Sequence, residues 1–391
     1  MTLIDDRYLT DFLKRLLRTP SPTGYTDEVS RLCCEELDRL GVDYEITRRG
    51  AIRACLQGSR RQPARALIAH VDTLGAQVKA IKDNGRMELV PIGNWSSRFA
   101  EGARCTVFTA EHGAFRGQIL PLKASGHTFN EEVDTQPVSW RQVELRPDVI
   151  ARGRADLEAL GFNIGDFVAI DPQPEFLDNG FIASRHLDDK AGVAAMFAAL
   201  KALVDTKAHL AVDTYFLLSM TEEVGHGASS ILTHDIASMV TIDNGTTAPG
   251  QNSSEFGVTI GMADQTGPFD YHLTQKLLRL ASENAIEHQR DIFRYYRSDS
   301  ASAIEAGADV RTALVAFGID ASHGYERIHV HALHSVARLI HAYVTSRVEI
   351  TRDAKPMAKS LEGFTDMPME PATDQNWQGG DDAPEGPGEK G

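Results

Sequence analysis

Cysteine is scarce in this 391-residue chain, and the four present (Cys33, Cys34, Cys55 and Cys105) form no CxxC pair. That spacing excludes a cysteine-built zinc knot or a disulfide framework, and reads as reduced thiols in a cytoplasmic protein. Long apolar runs are missing as well. None approaches the roughly 20 residues of a membrane span. The N-terminus, MTLIDDRYLTDFLKRLL, lacks the basic flank, apolar core and small-residue cleavage site of a signal peptide. Basic charge is in deficit. A net charge of −15 argues against nucleic acid or an anionic membrane as partner. No internal repeat is visible, which excludes a solenoid. What remains is ordinary for a globular protein, with 42% apolar and 24% charged residues and enough length for a large core and two domains.

Residues 5–17 set Tyr8, Leu9, Phe12, Leu13, Leu16 and Leu17 on one helical face, and the Pro- and Gly-containing stretch 19–25 ends that helix. A second amphipathic helix follows, with Gly41 placed to stop it. An apolar run at 66–69 then finishes in His70-Val71-Asp72. From 74 to 179 glycines and short β-type runs dominate, as expected for a small β-domain inserted into an α/β host. Its histidines, His112 and His127, sit beside glycines and read as turn or surface residues. The host pattern resumes at 180. Arg185-His-Leu-Asp-Asp-Lys-Ala-Gly192 precedes an apolar helix at 193–203, and the apolar run 215–220 ends in Glu222-Glu223 and a glycine-rich turn. A strand at 239–242 closes on Asp243. Strands at 256–260 and 292–296, a helix at 271–287 and a long final helix after Ala321-Ser-His-Gly-Tyr-Glu-Arg-Ile-His329 complete the alternation. This order implies an α/β fold with a mostly parallel sheet flanked by helices. Residues 1–73 and 180–350 form the host domain, 74–179 the insert, and 351–391, rich in Pro, Gly, Asp and Glu, an acidic tail expected to be disordered.

His70, Asp72, Asp188, Glu222, Glu223, Asp243 and His323 therefore all fall at strand ends or loops, where open α/β sheets gather their chemistry. Histidines and carboxylates without cysteine suit Zn²⁺, Co²⁺ or Mn²⁺ in a hydrolytic site, and seven such residues suffice for two ions. A lone His or a lone Glu-Glu pair is usually structural or solvated. Five sites in sequence are much harder to explain that way.

The order HxD, LDDK, EEVG, a strand-ending Asp and a late His resembles the dinuclear aminopeptidases of the glutamyl aminopeptidase/endoglucanase-like family, whose members assemble tetrahedral shells. The resemblance spans about residues 5–345, and Ile92-Gly-Asn-Trp95 and Gly165-Asp-Phe167 also match. It implies a zinc-aminopeptidase-like fold and two divalent metal ions per subunit, Zn²⁺ before Co²⁺ or Mn²⁺. By that resemblance His70 and Asp243 hold one ion, Glu223 and His323 the other, and Asp188 bridges. Glu222 is the general base, Asp72 accepts the second N–H of His70, and Asp299 matches a further acidic position. The insert is implied in homo-oligomer contacts and in access to the site. The SHGYERIH segment and acidic tail are most similar to the peptidases of bacterial N-acetylglutaminylglutamine amide osmoprotectant systems.

Departures touch substrate choice and shell assembly. The usual HMDE is His70-Val-Asp-Thr73, an arginine two places after the bridging aspartate is Lys190, and His323 is followed by Gly-Tyr-Glu where Ser-Pro is usual. Three readings stay open: an aminopeptidase on short peptides, an amidase or deacylase on a blocked dipeptide, and a silent binding protein of the same fold. Presence of both Asp188 and Glu222 weighs against the last.

Overall fold

The computed structural model describes residues 3–233, 236–350 and 353. The expected disordered tail at 351–391 lies, apart from residue 353, outside them. Helix Asp6–Arg18 starts where the Asp5 carboxylate accepts the Tyr8 N–H at 3.0 Å, and it buries Leu9, Phe12, Leu13, Leu16 and Leu17.

The main sheet runs, edge to edge, Tyr44–Ile46, Ile52–Leu56, Val212–Ser219, Arg60–His70, Ile236–Thr246, Arg311–Ile319, Val258–Asp264 and Gly267–Pro268, with His288–Ile292 also beside Val258–Asp264. Its four central strands, from Val212–Ser219 to Arg311–Ile319, are parallel, and antiparallel pairs flank them. Side-chain alternation explains why these strands read as unbroken apolar runs. Leu67, Ala69, Phe216, Leu218, Val240 and Ile242 meet the large helical layer of Asp6–Arg18, Leu187–Asp205, Tyr271–Glu283 and Val330–Thr345. Ala66, Ile68, Leu217 and Met239 point the other way, to Ala228, Ile231 and Ala303.

Between Arg60–His70 and Leu187–Asp205 the chain builds a closed antiparallel barrel, ordered Gly75–Ile81, Met87–Ile92, Val143–Pro147, Gly113–Pro121, Arg104–Thr109 and Phe167–Ile170. It has its own core, including Val78, Met87, Val107, Ile119, Leu145 and Val168. His112 and His127 are exposed on it. A three-stranded sheet (Glu175–Phe176, Phe181–Ser184, Glu326–His329) leads the chain back.

Several boundaries differ from the sequence reading, three of them at or near the site. The strand carrying Asp243 continues to Thr246, because its ladder with Arg311–Ile319 continues to the Thr246–Ile319 pair. The helix expected at 193–203 begins at Leu187, with Asp188 and Asp189 in non-helical conformations inside its first turn. The strand expected at 292–296 lies earlier, at His288–Ile292, where it pairs with Val258–Asp264.

Candidate metal centre

Register brings the site together. Ser219 pairs with His70, and Thr241 with Ile68, so His70, the loop after Ser219 and Asp243 stand side by side at the carboxyl edge of the sheet. Asp188 enters from the opened first turn of its helix, and His323 from the loop after Arg311–Ile319.

His70 Nε2 lies 3.2 Å from Asp188 Oδ1, and His323 Nε2 lies 3.3 Å from Asp188 Oδ2. The two imidazoles thus grip opposite oxygens of one carboxylate. Each ring turns Nδ1 to a backbone carbonyl, His70 to Asp72 and His323 to Asn94, both at 3.0 Å. In the neutral tautomer Nδ1 then carries the proton and Nε2 offers its lone pair to the centre. Ligand atoms of His70, Asp188 and Asp243 all lie within 4.8 Å of one another. Glu222 Oε2 stands outside that group, 3.8 Å from His70 Nε2. Glu223 is turned so that Oε1 accepts the Leu74 N–H at 3.1 Å.

Acid crowding shapes the electrostatics. Burial first, then the charge of Asp188, push Asp243 up to about 7 and Glu223 to about 8. Glu222 is raised well above the carboxylate range, by burial first and then by Asp243 and Asp299. Burial opposes charge on the imidazoles, yet Asp188 and Asp72 raise His70, and Asp188 and Glu223 raise His323 to about 10. Asp188 is held below its usual range although burial works the other way, because both histidines donate to it. Such a pocket has more negative charge than its two imidazoles balance. Divalent cations fit it, by donor chemistry and by charge.

Several supporting residues escaped the sequence reading. Asn244 Nδ2 donates to Asp188 Oδ2 at 2.7 Å and to Asp243 Oδ1 at 3.3 Å, tying two candidate ligands together. Asp189 Oδ2 accepts the His70 N–H at 3.1 Å. Gly192 makes room for it, since a Cβ there would sit 2.1 Å from Asp189 Oδ1. Glu326 accepts N–H bonds from Leu187 (2.7 Å), Asp188 (3.2 Å) and His323 (2.9 Å), the last in a left-handed conformation at φ 67°. Asp299, which the sequence reading did single out, accepts from Ser219 Oγ at 2.6 Å and Ala228 N at 2.8 Å, bracing the loop beyond Glu222-Glu223.

Asp72 is placed differently from the expectation. The nearest Asp72 oxygen to His70 Nδ1 is its backbone carbonyl, and its carboxylate Oδ1 stands at 3.6 Å. That carboxylate instead accepts the Glu222 N–H (3.2 Å), the Glu223 N–H (3.3 Å) and the Thr23 hydroxyl (2.7 Å). A two-residue spacing cannot distinguish these, because the partners lie about 50 and about 150 residues away.

A cavity of about 920 Å³ opens over the cluster. Asp188, Glu222, Glu223, Asp243 and His323 line one wall, and Gln251, Phe293, Arg294, Tyr296 and Arg297 lie on others. Gly93 and Asn94 of the barrel side contribute to the rim, so both domains shape the entrance.

Residues 50–339 match the M42 glutamyl aminopeptidase family. The chain belongs to that family. M42 membership makes it a dinuclear metallo-aminopeptidase, hydrolysing peptides from the N-terminus. Among curated relatives it is 37% identical over 340 residues to YhfE of Bacillus subtilis (strain 168), a protein named provisionally as an aminopeptidase, covering 87% of this chain and 98% of that one. The fold is similar to that of the TET aminopeptidase of Thaumarchaeota archaeon SCGC AB-539-E09, with TM-score 0.78 at 18% identity over 86% of this chain and 96% of that one. It is also similar to the Pyrococcus horikoshii TET1 peptidase, described as assembling into a tetrahedron or a large octahedral shell, with TM-score 0.76 at 24% identity over 86% and 99%. Among the described residues no helix is long and apolar enough to cross a membrane.

Proposed function

We propose that this M42 enzyme removes N-terminal residues from short peptides with Glu222 as its acid–base group. The observation that carries this reading is Glu222 poised 3.8 Å from His70, beside but outside the tight His70–Asp188–Asp243 group. His70 and Asp243 would hold one cation, Glu223 and His323 the other, and Asp188 both. The double grip on Asp188 by the two imidazoles supports that division. Bound divalent ions, Zn²⁺ before Co²⁺ or Mn²⁺, would supply Lewis acidity and a water acidic enough to attack near neutral pH.

The rest falls to the chain's own side chains. Glu222 takes the proton of the attacking water and delivers it to the departing amine. Asn244 fixes the orientation of Asp188 and Asp243, and Asp72 fixes the turn that aims Glu222 and Glu223.

Arg294 supports a preference for substrates carrying a carboxylate. It lines the cavity and has no ion pair among the described residues, whereas Arg297 is held by Glu305 at 2.7 Å. The link to N-acetylglutaminylglutamine amide metabolism is part of the same proposal. Its support is the similarity of segment 322–329 and the acidic tail to the peptidases of those osmoprotectant systems. An amidase acting on that blocked dipeptide would use the same acid–base group, so product analysis separates the readings. Incubation of metal-loaded protein with Glu-, Lys- and N-acetylated dipeptides should release free N-terminal glutamate fastest. Cleavage confined to acetylated substrates would replace the aminopeptidase reading with the amidase one.

We further infer a cytoplasmic homo-oligomer joined through the barrel. Ile150 and Ile164 are 94% and 66% exposed there, and the Pyrococcus horikoshii relative forms shells. A monodisperse monomer in light scattering would contradict this.

A further inference from the structure

One polar atom in the cavity wall has no use in the scheme above. The Tyr296 hydroxyl is buried, lines the same cavity as Glu222 and Asp243, and has no hydrogen-bond partner. Its position is built. The ring packs edge-on against Phe293, with centroids 5.3 Å apart and planes at 70°, beside a small core that includes Phe269 and Leu314. The Tyr296 carbonyl accepts the Gln265 N–H at 2.9 Å, which ties this loop to the turn after Val258–Asp264.

The hydroxyl's charged neighbours include Asp243, Glu222 and Asp188. Each of these carboxylates could accept its proton; Asp243 is close enough for the two groups to influence one another, yet no contact reaches full hydrogen-bond geometry. A buried donor beside acceptors but without a well-formed hydrogen bond is rare in native structures, and it asks for an explanation. Phenols are neutral donors at ordinary pH. A neutral O–H aimed into a peptidase cavity, next to the general base, matches the group that a developing oxyanion requires.

We propose that Tyr296 Oη–H donates a hydrogen bond to the carbonyl oxygen of the scissile peptide bond and holds the negative charge that builds there. This deepens the aminopeptidase reading and rests on it. As water oxygen bonds to the carbonyl carbon, the C=O π pair moves onto oxygen and the water proton passes to Glu222. On collapse that pair re-forms C=O, the C–N bond breaks, and Glu222 delivers the proton to the amine nitrogen. Tyr296 keeps its own proton throughout. Because its bond strengthens only as charge develops, its contribution falls on kcat more than on KM.

The test uses full-length, metal-loaded protein and the Tyr296→Phe variant, which keeps the ring and its contact with Phe293. The measurements are kcat and KM on an unblocked dipeptide, ion content per chain, Tm, and Kd for an α-aminophosphonate tetrahedral analogue beside Kd for the free amino acid product. Expected are a fall in kcat of about 10²–10³-fold, KM within about threefold, unchanged ion content and Tm, and a selective loss of analogue affinity. An unchanged kcat, or equal loss for analogue and product, overturns the proposal. Loss of ions with activity restored by excess metal also overturns it, making Tyr296 a positioning residue for Asp243. A wild-type protein that turns over only blocked substrates would instead refute the aminopeptidase reading, an outcome visible before any variant is made.

Discussion

Removing metal should reverse the way this protein's stability responds to pH. Asp243 rests at about 7 and Glu223 at about 8, raised by burial and then by the charge of Asp188. A carboxyl whose folded pKa exceeds its unfolded value binds its proton more tightly when folded. Its contribution is therefore complete below the unfolded pKa, near 4, and is lost as pH rises through the folded value. His323, raised to about 10, has the same sign, with its contribution lost between about 6.5 and 10. For Asp243 alone the shift from 3.8 to about 7 corresponds to about 4 kcal/mol at 1.36 kcal/mol per unit. Neighbours share protons, so that figure is a ceiling and the contributions do not add. The metal-free chain should lose several degrees of Tm between pH 5 and pH 8. Added Zn²⁺ should stabilise it little at pH 5 and strongly at pH 8, because ligands must shed protons to bind. Thermal unfolding of chelator-treated protein across that range, with and without metal, measures both effects. A metal-free Tm that rises from pH 5 to 8, or a larger metal-induced gain at pH 5, would refute the reasoning.

Two further changes probe the frame around the centre. Asp188→Ala should lose both ions together, since His70 and His323 reach the same carboxylate; elemental analysis that finds both retained would contradict a bridging role. Gly192→Ala should cost about 1–3 kcal/mol by overpacking against Asp189 and should weaken metal binding through the displaced Asp189–His70 bond, read by Tm and by metal titration.

His70 and the Glu222-Glu223 pair were legible because strands buried on both faces are apolar until the sheet ends, so the first polar side chains announce the edge. Asp243 was legible as a residue, while the continuation of its strand to Thr246 was not, since that depends on pairing with a strand about 70 residues later. Barrel closure posed the same problem. Its β-texture was visible, but Gly75–Ile81 meets Phe167–Ile170 across about 90 residues. Glu326 did leave a signal: it shares a strand face with Ile328, and both are buried while Arg327 is exposed. Asn244, one amide beside an acid, and the backbone partners of Asp72 left none.

Glu222 and Glu223 are adjacent and chemically identical, and the Glu222→Gln variant separates the proposed proton carrier from the proposed ligand. Glutamine preserves shape and hydrogen bonding but cannot carry the proton. The variant should hold as many ions as the wild type while kcat falls by about 10²–10⁴-fold, the usual worth of a positioned acid–base group. Ion content and kcat measured on the same preparation decide it. An unchanged kcat, or a loss of metal that excess Zn²⁺ repairs together with activity, would contradict the assignment and pass the proton-carrying role to another residue.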